Sequence, residues 1–203
     1  MSVSFSATRR TLLAGAVAAL PMALMGCSPT PSGPLPFEGN DISGTHLGRD
    51  LSMTDTTGAL RTLADFKGKV LLVFFGYTQC PDVCPTAMAQ AAQALQLLGD
   101  QASKVQVILI SVDPARDTPE ILGAYVHAFD PSFIGLTGTP DQLDKTARSF
   151  KAFYAKEAGP TPEQYAMNHS AAFYLMDQTG EARALLGPSL TPEDMAHDIK
   201  LLL

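Results

Sequence analysis

Cys80 and Cys84, four positions apart, are the residues best able to do chemistry in this chain. They lie in GYTQCPDVCPT, residues 76 to 86. A pair of thiolates binds soft metals and also attacks disulfides. The spacing is Cys-x-x-x-Cys, one residue longer than the usual redox dithiol. Pro85 disfavours helical geometry at Cys84 and itself suits the first position of a helix. The expectation is a helix from Pro85, with Cys84 as its N-cap and Cys80 in the loop ahead, stiffened by Pro81. Both thiols would then feel the positive end of the helix, which favours thiolate. The competing reading is a small stabilising disulfide. Closing so short a loop contributes roughly 2 kcal/mol or less, and the end of a buried strand is a poor place for a staple.

The third cysteine, Cys27, has a different setting. MSVSFSATRR is polar and basic, and the apolar run TLLAGAVAALPMALMG after it is too short for an ordinary spanning helix. That is the layout of a secretory leader, with Arg9 and Arg10 placed as in a twin-arginine export signal. Leu24-Met25-Gly26-Cys27 resembles the bacterial lipoprotein box, in which the cysteine is acylated and becomes the first mature residue. Residues 1–26 are expected to be a signal peptide, and Cys27 the lipid anchor on the periplasmic side of a bacterial membrane. One pair then remains, Cys80 and Cys84, in an oxidising compartment.

The elements around the pair follow from apolar pattern and punctuation. Residues 27–48 are rich in Pro, Gly and Ser and read as a flexible tether, leaving 49–203 as one domain. Leu51, Met53 and Leu60 flank Asp55-Thr56-Thr57-Gly58, an N-terminal hairpin. Val70 to Phe75 (VLLVFF) and Val105 to Val112 read as strands buried on both faces. The helix after the cysteines should run to Leu98, with Met88, Ala91, Leu95 and Leu98 on one face and Gly99 as its stop. Thr118-Pro119-Glu120, Thr139-Pro140-Asp141 and Thr191-Pro192-Glu193 each open a helix with Pro at the first position. The first two run to about Phe129 and Phe150. Phe133 to Leu136, Ala171 to Met176 and Ala182 to Leu186 are strands, the last two forming a hairpin about Asp177-Gln178-Thr179-Gly180. Residues 151 to 168 lack a clean period and read as an inserted hairpin. The order implies an α/β domain with a mixed central sheet and helices on both faces. A cysteine motif between the first long strand and its helix is the thioredoxin-like arrangement.

Charge narrows the partners. The chain has 14 basic and 20 acidic residues, a net charge of −6, and the mature part is more negative still. Nucleic acid is excluded as the main partner. No basic cluster follows the leader to bind anionic lipid, and an acidic surface suits a basic protein partner.

Three segments taken together, FFGYTQCPDVCPT, ISVDPARDTPE and NHSAAFYLMD, resemble the Sco/SenC family of copper-handling, thioredoxin-fold proteins. The likeness spans about Leu51 to the C-terminus. It implies that Cys80, Cys84 and His169 bind copper, as Cu(I), Cu(II) or both. It also implies copper delivery to the binuclear site of cytochrome c oxidase, reduction of that site's cysteines, or both. The partners implied are the copper-accepting subunit of the oxidase and a copper donor or a thioredoxin-like reductant. One common family residue is absent: Gln79 stands where a histidine often precedes the first cysteine, and that position is not a ligand.

Chemistry supports His169 alongside the resemblance. Two thiolates suit Cu(I), and a borderline imidazole lets the same site hold Cu(II). In thioredoxins a cis-proline facing the dithiol precedes the strand at this place, whereas this chain has Asn168-His169-Ser170. The bland alternative is a half-buried loop histidine.

Other candidates carry less. His46 falls in the tether, and His127 and His197 in helices, where each reads as a surface or boundary residue. Met88 is explained by packing. Met167 could be a thioether ligand, with an apolar contact the simpler reading. Asp82, between the cysteines, could interact with the metal's charge or with a donor. Asp113, at a strand end where ligands gather in α/β folds, could hydrogen-bond a ligand. Arg116 and Asp117 read as docking residues or a solvated turn. Three other functions compete. A thiol–disulfide oxidoreductase would use Cys80 and Cys84 as catalytic residues without metal. A peroxidase of peroxiredoxin type wants Thr three residues before its cysteine, where this chain has Tyr77 and Pro81. A passive lipoprotein has no use for the motifs.

Overall fold

The structure is a computed structural model and describes residues 1–4, 35–161 and 164–203. Arg9, Arg10 and Cys27 lie outside the described residues, so the leader and lipid-anchor expectations are not addressed by it. No described helix is long and apolar enough to cross a membrane.

The two apolar runs form the centre of the sheet. Val70–Gly76 (β4) and Val105–Ser111 (β5) pair in parallel, and every residue of both is buried. Ile134–Thr137 (β6) continues the parallel set beside β5. On the other side of β4 lie Phe173–Met176 (β9) and then Ala182–Leu186 (β10), both antiparallel to their neighbours. Ser52–Asp55 (β2) and Leu60–Thr62 (β3) form the expected hairpin and join the sheet through β6. With Asn40–Asp41 (β1) the eight strands run β1-β10-β9-β4-β5-β6-β2-β3. Tyr154–Glu157 (β7) and Ala166–His169 (β8) make a separate two-stranded sheet, the inserted hairpin.

Helices cover both faces, as expected. Successive strand residues point to opposite sides. Phe75 packs edge-on against Phe150 at the end of helix α3 (Pro140–Phe150). Gly76, one residue on, faces Cys84 of helix α1 (Val83–Leu98). Helix α4 (Pro192–Lys200) packs against α1, and α2 (Pro119–His127) against β6.

The Thr-Pro signals mark the starts of α2, α3 and α4. Thr118, Thr139 and Thr191 accept hydrogen bonds from the backbone N–H groups of Ile121, Gln142 and Asp194. Each cap stabilises its helix by about 1 kcal/mol.

Two boundaries differ from the sequence expectation. Helix α1 begins at Val83 with Asp82 as N-cap, so Cys84 is the second helical residue and not the cap. Proline is tolerated throughout the first turn because the N–H it lacks has no helical acceptor there. The C-terminal part of the stretch expected as tether is bound to the domain. The Asp198 carboxylate accepts the backbone N–H groups of Glu38 and Gly39 at 2.8 and 2.9 Å, and β1 pairs with β10. Residues from Glu38 onward are therefore built into the domain.

Candidate metal centre

The loop after β4 is held from below. Thr78 donates its backbone N–H and its hydroxyl to the Asp117 carboxylate, the latter at 2.6 Å. Ser111, the last residue of β5, donates its hydroxyl to the same carboxylate at 2.6 Å. Asp117 is fully buried, and that burial raises its pKa despite these hydrogen bonds. It ties the start of the cysteine loop to the end of the neighbouring strand. The expectation of a docking residue or solvated turn at Asp117 is overturned.

Cys84 is buried and Cys80 half-buried, and both are free thiols. Gly76 makes room for Cys84: a Cβ on Gly76 would lie 2.8 Å from Cys84 Sγ. The backbone N–H of Cys84 points at Cys80 Sγ, 3.5 Å away. The amide end of α1 thus meets Cys80, and the expectation of thiolate at Cys84 needs correction because that residue is buried. Burial pushes the Cys84 thiol far up, with the nearby Cys80 adding to the rise and a hydrogen bond from the Tyr77 backbone opposing it.

His169 closes the group. It is the last residue of β8, and its Nε2 lies 3.4 Å from Cys84 Sγ. Its Nδ1 is 3.0 Å from the Ser170 carbonyl oxygen. A carbonyl can only accept, so Nδ1 carries the proton and Nε2 offers its lone pair to the sulfur side. The edges of Phe74 and Tyr77 hold the ring, with centroids 5.8 and 5.9 Å away and interplanar angles of 81° and 86°. The Cys84 thiol can donate a hydrogen bond to the bare Nε2 along this contact. A metal ion bound here would take that proton's place and would deprotonate the thiol outright.

The donor atoms of Cys80, Cys84 and His169 all lie within 4.8 Å of one another, and they form the one such cluster among the described residues. Metal–sulfur bonds of about 2.3 Å and metal–nitrogen bonds of about 2.0 Å span at most roughly 4.6 Å between two sulfurs and roughly 4.3 Å between sulfur and nitrogen, so binding all three donors at once draws the outermost of them inward by a few tenths of an ångström or more. The 3.4 Å Sγ–Nε2 separation corresponds to an angle of roughly 100° at an ion with those bond lengths. The residues fit a small soft or borderline ion with two sulfur donors and one nitrogen.

The remaining candidates fall outside the cluster. Asp82 is exposed, makes no capping bond, and lines a cavity of about 200 Å³ with Val83, Thr86, Phe173 and Met195. Asp113 is buried, but its partners are Arg116 and the Tyr165 hydroxyl (2.7 Å), not the sulfur atoms. Arg116, half-buried, belongs to this network through Asp113 and the Tyr165 carbonyl. Met88 is core, and Met167 packs against the core's edge. His46 pairs with Glu181, His197 with Asp198, and His127 ends α2.

Sequence reasoning missed the parts played by Tyr77, Asp117 and Tyr165. Asp117 had a usable signal, since an acidic residue just before a Thr-Pro helix start follows the strand that neighbours the cysteine loop. Tyr165 had none, because it lies in the stretch without periodicity.

Known proteins share this architecture. The profile of the SCO1/SenC family matches residues 40–203. Protein sco1 of Schizosaccharomyces pombe is 35% identical over 161 residues, 78% of this chain and 61% of that protein. The chain therefore spans about six-tenths of the length of that relative. Protein SenC of Rhodobacter capsulatus is 35% identical over 162 residues, covering 80% of this chain and 73% of SenC. Among solved structures, Bradyrhizobium japonicum ScoI with copper bound superposes with a TM-score of 0.70 at 38% identity, covering 81% of this chain and 99% of ScoI.

Proposed function

The chain belongs to the SCO1/SenC family, and from that membership and the geometry of its metal centre we propose that it carries copper to the binuclear copper site of cytochrome c oxidase. The observation that carries this reading is the convergence of two sulfurs and one imidazole nitrogen within 4.8 Å. Soft thiolates suit Cu(I), and the added imidazole suits Cu(II). The similar ScoI holds copper. The site grades from exposed to enclosed: Cys80 and His169 are half-buried and Cys84 is buried. Cys80 is thus the first donor an incoming thiolate of the acceptor can replace, and Cys84 the last to let go. Lipid on Cys27 would hold the domain at the periplasmic face of a bacterial membrane, within reach of a membrane-bound oxidase.

A second reading has its own observation. Cys80 is accessible and receives the Cys84 N–H, while Cys84 waits beneath it. That asymmetry suits a reductase of the oxidase site's disulfide. The Cys80 thiolate would attack one sulfur of that disulfide, and the partner's other sulfur would leave as a thiolate and take up a proton. Cys84 would then displace the second partner sulfur, leaving a Cys80–Cys84 disulfide and two reduced partner thiols. A thioredoxin-like reductant would restore the pair.

The test mixes copper-loaded protein with the reduced, copper-free soluble domain of the oxidase's copper-accepting subunit. Copper transfer seen in the acceptor's visible spectrum, and lost with Cys80→Ser or Cys84→Ser, is the expected result. A reduced acceptor that gains no copper, together with an oxidised acceptor whose disulfide is reduced by metal-free protein in a parallel assay, would replace delivery with the second reading.

A further inference from the structure

The third donor stands on a hairpin outside the main sheet. Hairpin β7–β8 has no backbone ladder to the eight-stranded sheet. A two-stranded hairpin is marginal on its own in water, so side chains must fix where His169 sits. At its base, the Phe153 N–H donates to the Ser170 hydroxyl oxygen at 2.9 Å and the Ser170 N–H donates to the Phe153 carbonyl at 3.0 Å. Tyr154 at the start of β7 is hydrogen-bonded to Asp144 of α3.

The strand that ends in His169 is held through Tyr165, the residue just ahead of it. The Tyr165 hydroxyl donates to Asp113 at 2.7 Å, and its carbonyl accepts from Arg116 Nη1 at 3.0 Å. Arg116 lies over the Tyr165 ring at 3.6 Å from the centroid, and Lys156 of β7 lies at the same distance. Arg116 also pairs with Asp113, and its guanidinium carbon is 5.7 Å from the Tyr77 ring centroid. Tyr77 in turn meets the His169 ring edge-on. Thus one arginine, largely withdrawn from solvent, reaches the imidazole by two routes: along the backbone of β8 through Tyr165, and through the face of Tyr77.

We infer that Tyr165, with Arg116 and Asp113, is a latch that positions His169 against the two sulfurs without itself binding metal. The inference rests on the reading of Cys80, Cys84 and His169 as a copper site. Its consequence is selective. Cu(I) is held by two thiolates and depends little on the hairpin, whereas Cu(II) needs the imidazole in place. Loosening the latch should therefore weaken Cu(II) and spare Cu(I).

The experiment compares full-chain wild type, Tyr165→Ala, Tyr165→Phe and His169→Ala, each titrated with Cu(I) and Cu(II) against chelators and examined by optical and electron paramagnetic resonance spectroscopy. Tyr165→Ala should lose about 10- to 100-fold in Cu(II) affinity and take on the spectrum of His169→Ala, with Cu(I) affinity close to wild type. Tyr165→Phe keeps the ring and loses only the bond to Asp113. It should retain the wild-type spectrum with a smaller Cu(II)-selective loss, and it keeps the test open if the alanine variant folds poorly. A wild-type spectrum and Cu(II) affinity in Tyr165→Ala beside an altered His169→Ala overturn the latch alone. Equal loss of Cu(I) and Cu(II) with an unaltered spectrum does the same. A wild-type spectrum in both Tyr165→Ala and His169→Ala overturns the three-donor site and the latch with it.

Discussion

Cys84 Sγ and His169 Nε2 stand 3.4 Å apart across 85 positions of sequence. The sulfur is buried at the start of α1, and the nitrogen is aimed at it because the opposite nitrogen of the ring is engaged by the Ser170 carbonyl. Each group suits the other's circumstance. Burial keeps the thiol protonated, and the bare Nε2 can accept a hydrogen bond from it. A cation of suitable size can replace the proton and bind both groups at once.

Close packing beneath Cys84 makes Gly76 a sensitive position. A Cβ there would meet Cys84 Sγ at 2.8 Å, Phe74 Cε1 at 3.1 Å and Leu109 Cδ1 at 3.2 Å. Gly76→Ala should destabilise the fold by about 1–3 kcal/mol and shift Cys84 from its place, weakening copper binding. Denaturant unfolding and chelator competition read the two effects.

The β2–β3 hairpin carries a pH-sensitive carboxylate. Burial alone would raise the Asp55 pKa, but hydrogen bonds from Thr57, Arg61 and Ala59 together overcome it and hold the group at about 2, below its ordinary 3.8. A depressed pKa stabilises the folded state above the unfolded value, and the gain is lost as pH falls from about 4 towards 2. The loss should be on the order of 1–2 kcal/mol. Unfolding at pH 5 and pH 3 should show that drop in wild type, and Asp55→Asn should flatten this contribution.

Much of this was legible from local signals, and the remainder was not. Thr-Pro pairs at 118, 139 and 191 placed three helix starts because capping is chemistry between residues close in sequence. The VLLVFF and VQVILIS runs located the buried strands for the same reason. The sequence points to Cys84 as the cap where the structure has Asp82, because proline suits any residue of the first turn. The segment from Glu38 to Asp41 read as tether by composition, yet a carboxylate 160 positions away binds it. Asp117, Arg116 and Tyr165 were misjudged or missed because their partners are distant in sequence and leave no local pattern. The likeness of three motifs found His169; periodicity alone could not.

Membrane attachment is open to a direct check. If Cys27 is acylated, wild-type protein made in a bacterial host should incorporate labelled palmitate and sediment with membranes. Cys27→Ser should be unlabelled and appear in the soluble periplasmic fraction. Wild-type protein that takes up no label yet sediments with membranes would replace the lipid anchor with an uncleaved leader.

The central claim is that one copper ion is shared by two sulfurs and the His169 imidazole, and X-ray absorption of the copper-loaded protein tests it most directly. Wild type should show two sulfurs at about 2.3 Å and a nitrogen at about 2.0 Å, the usual lengths for such donors. His169→Ala should lose the nitrogen while keeping both sulfurs. An imidazole nitrogen that persists in His169→Ala, or a wild-type site without one, would contradict the account.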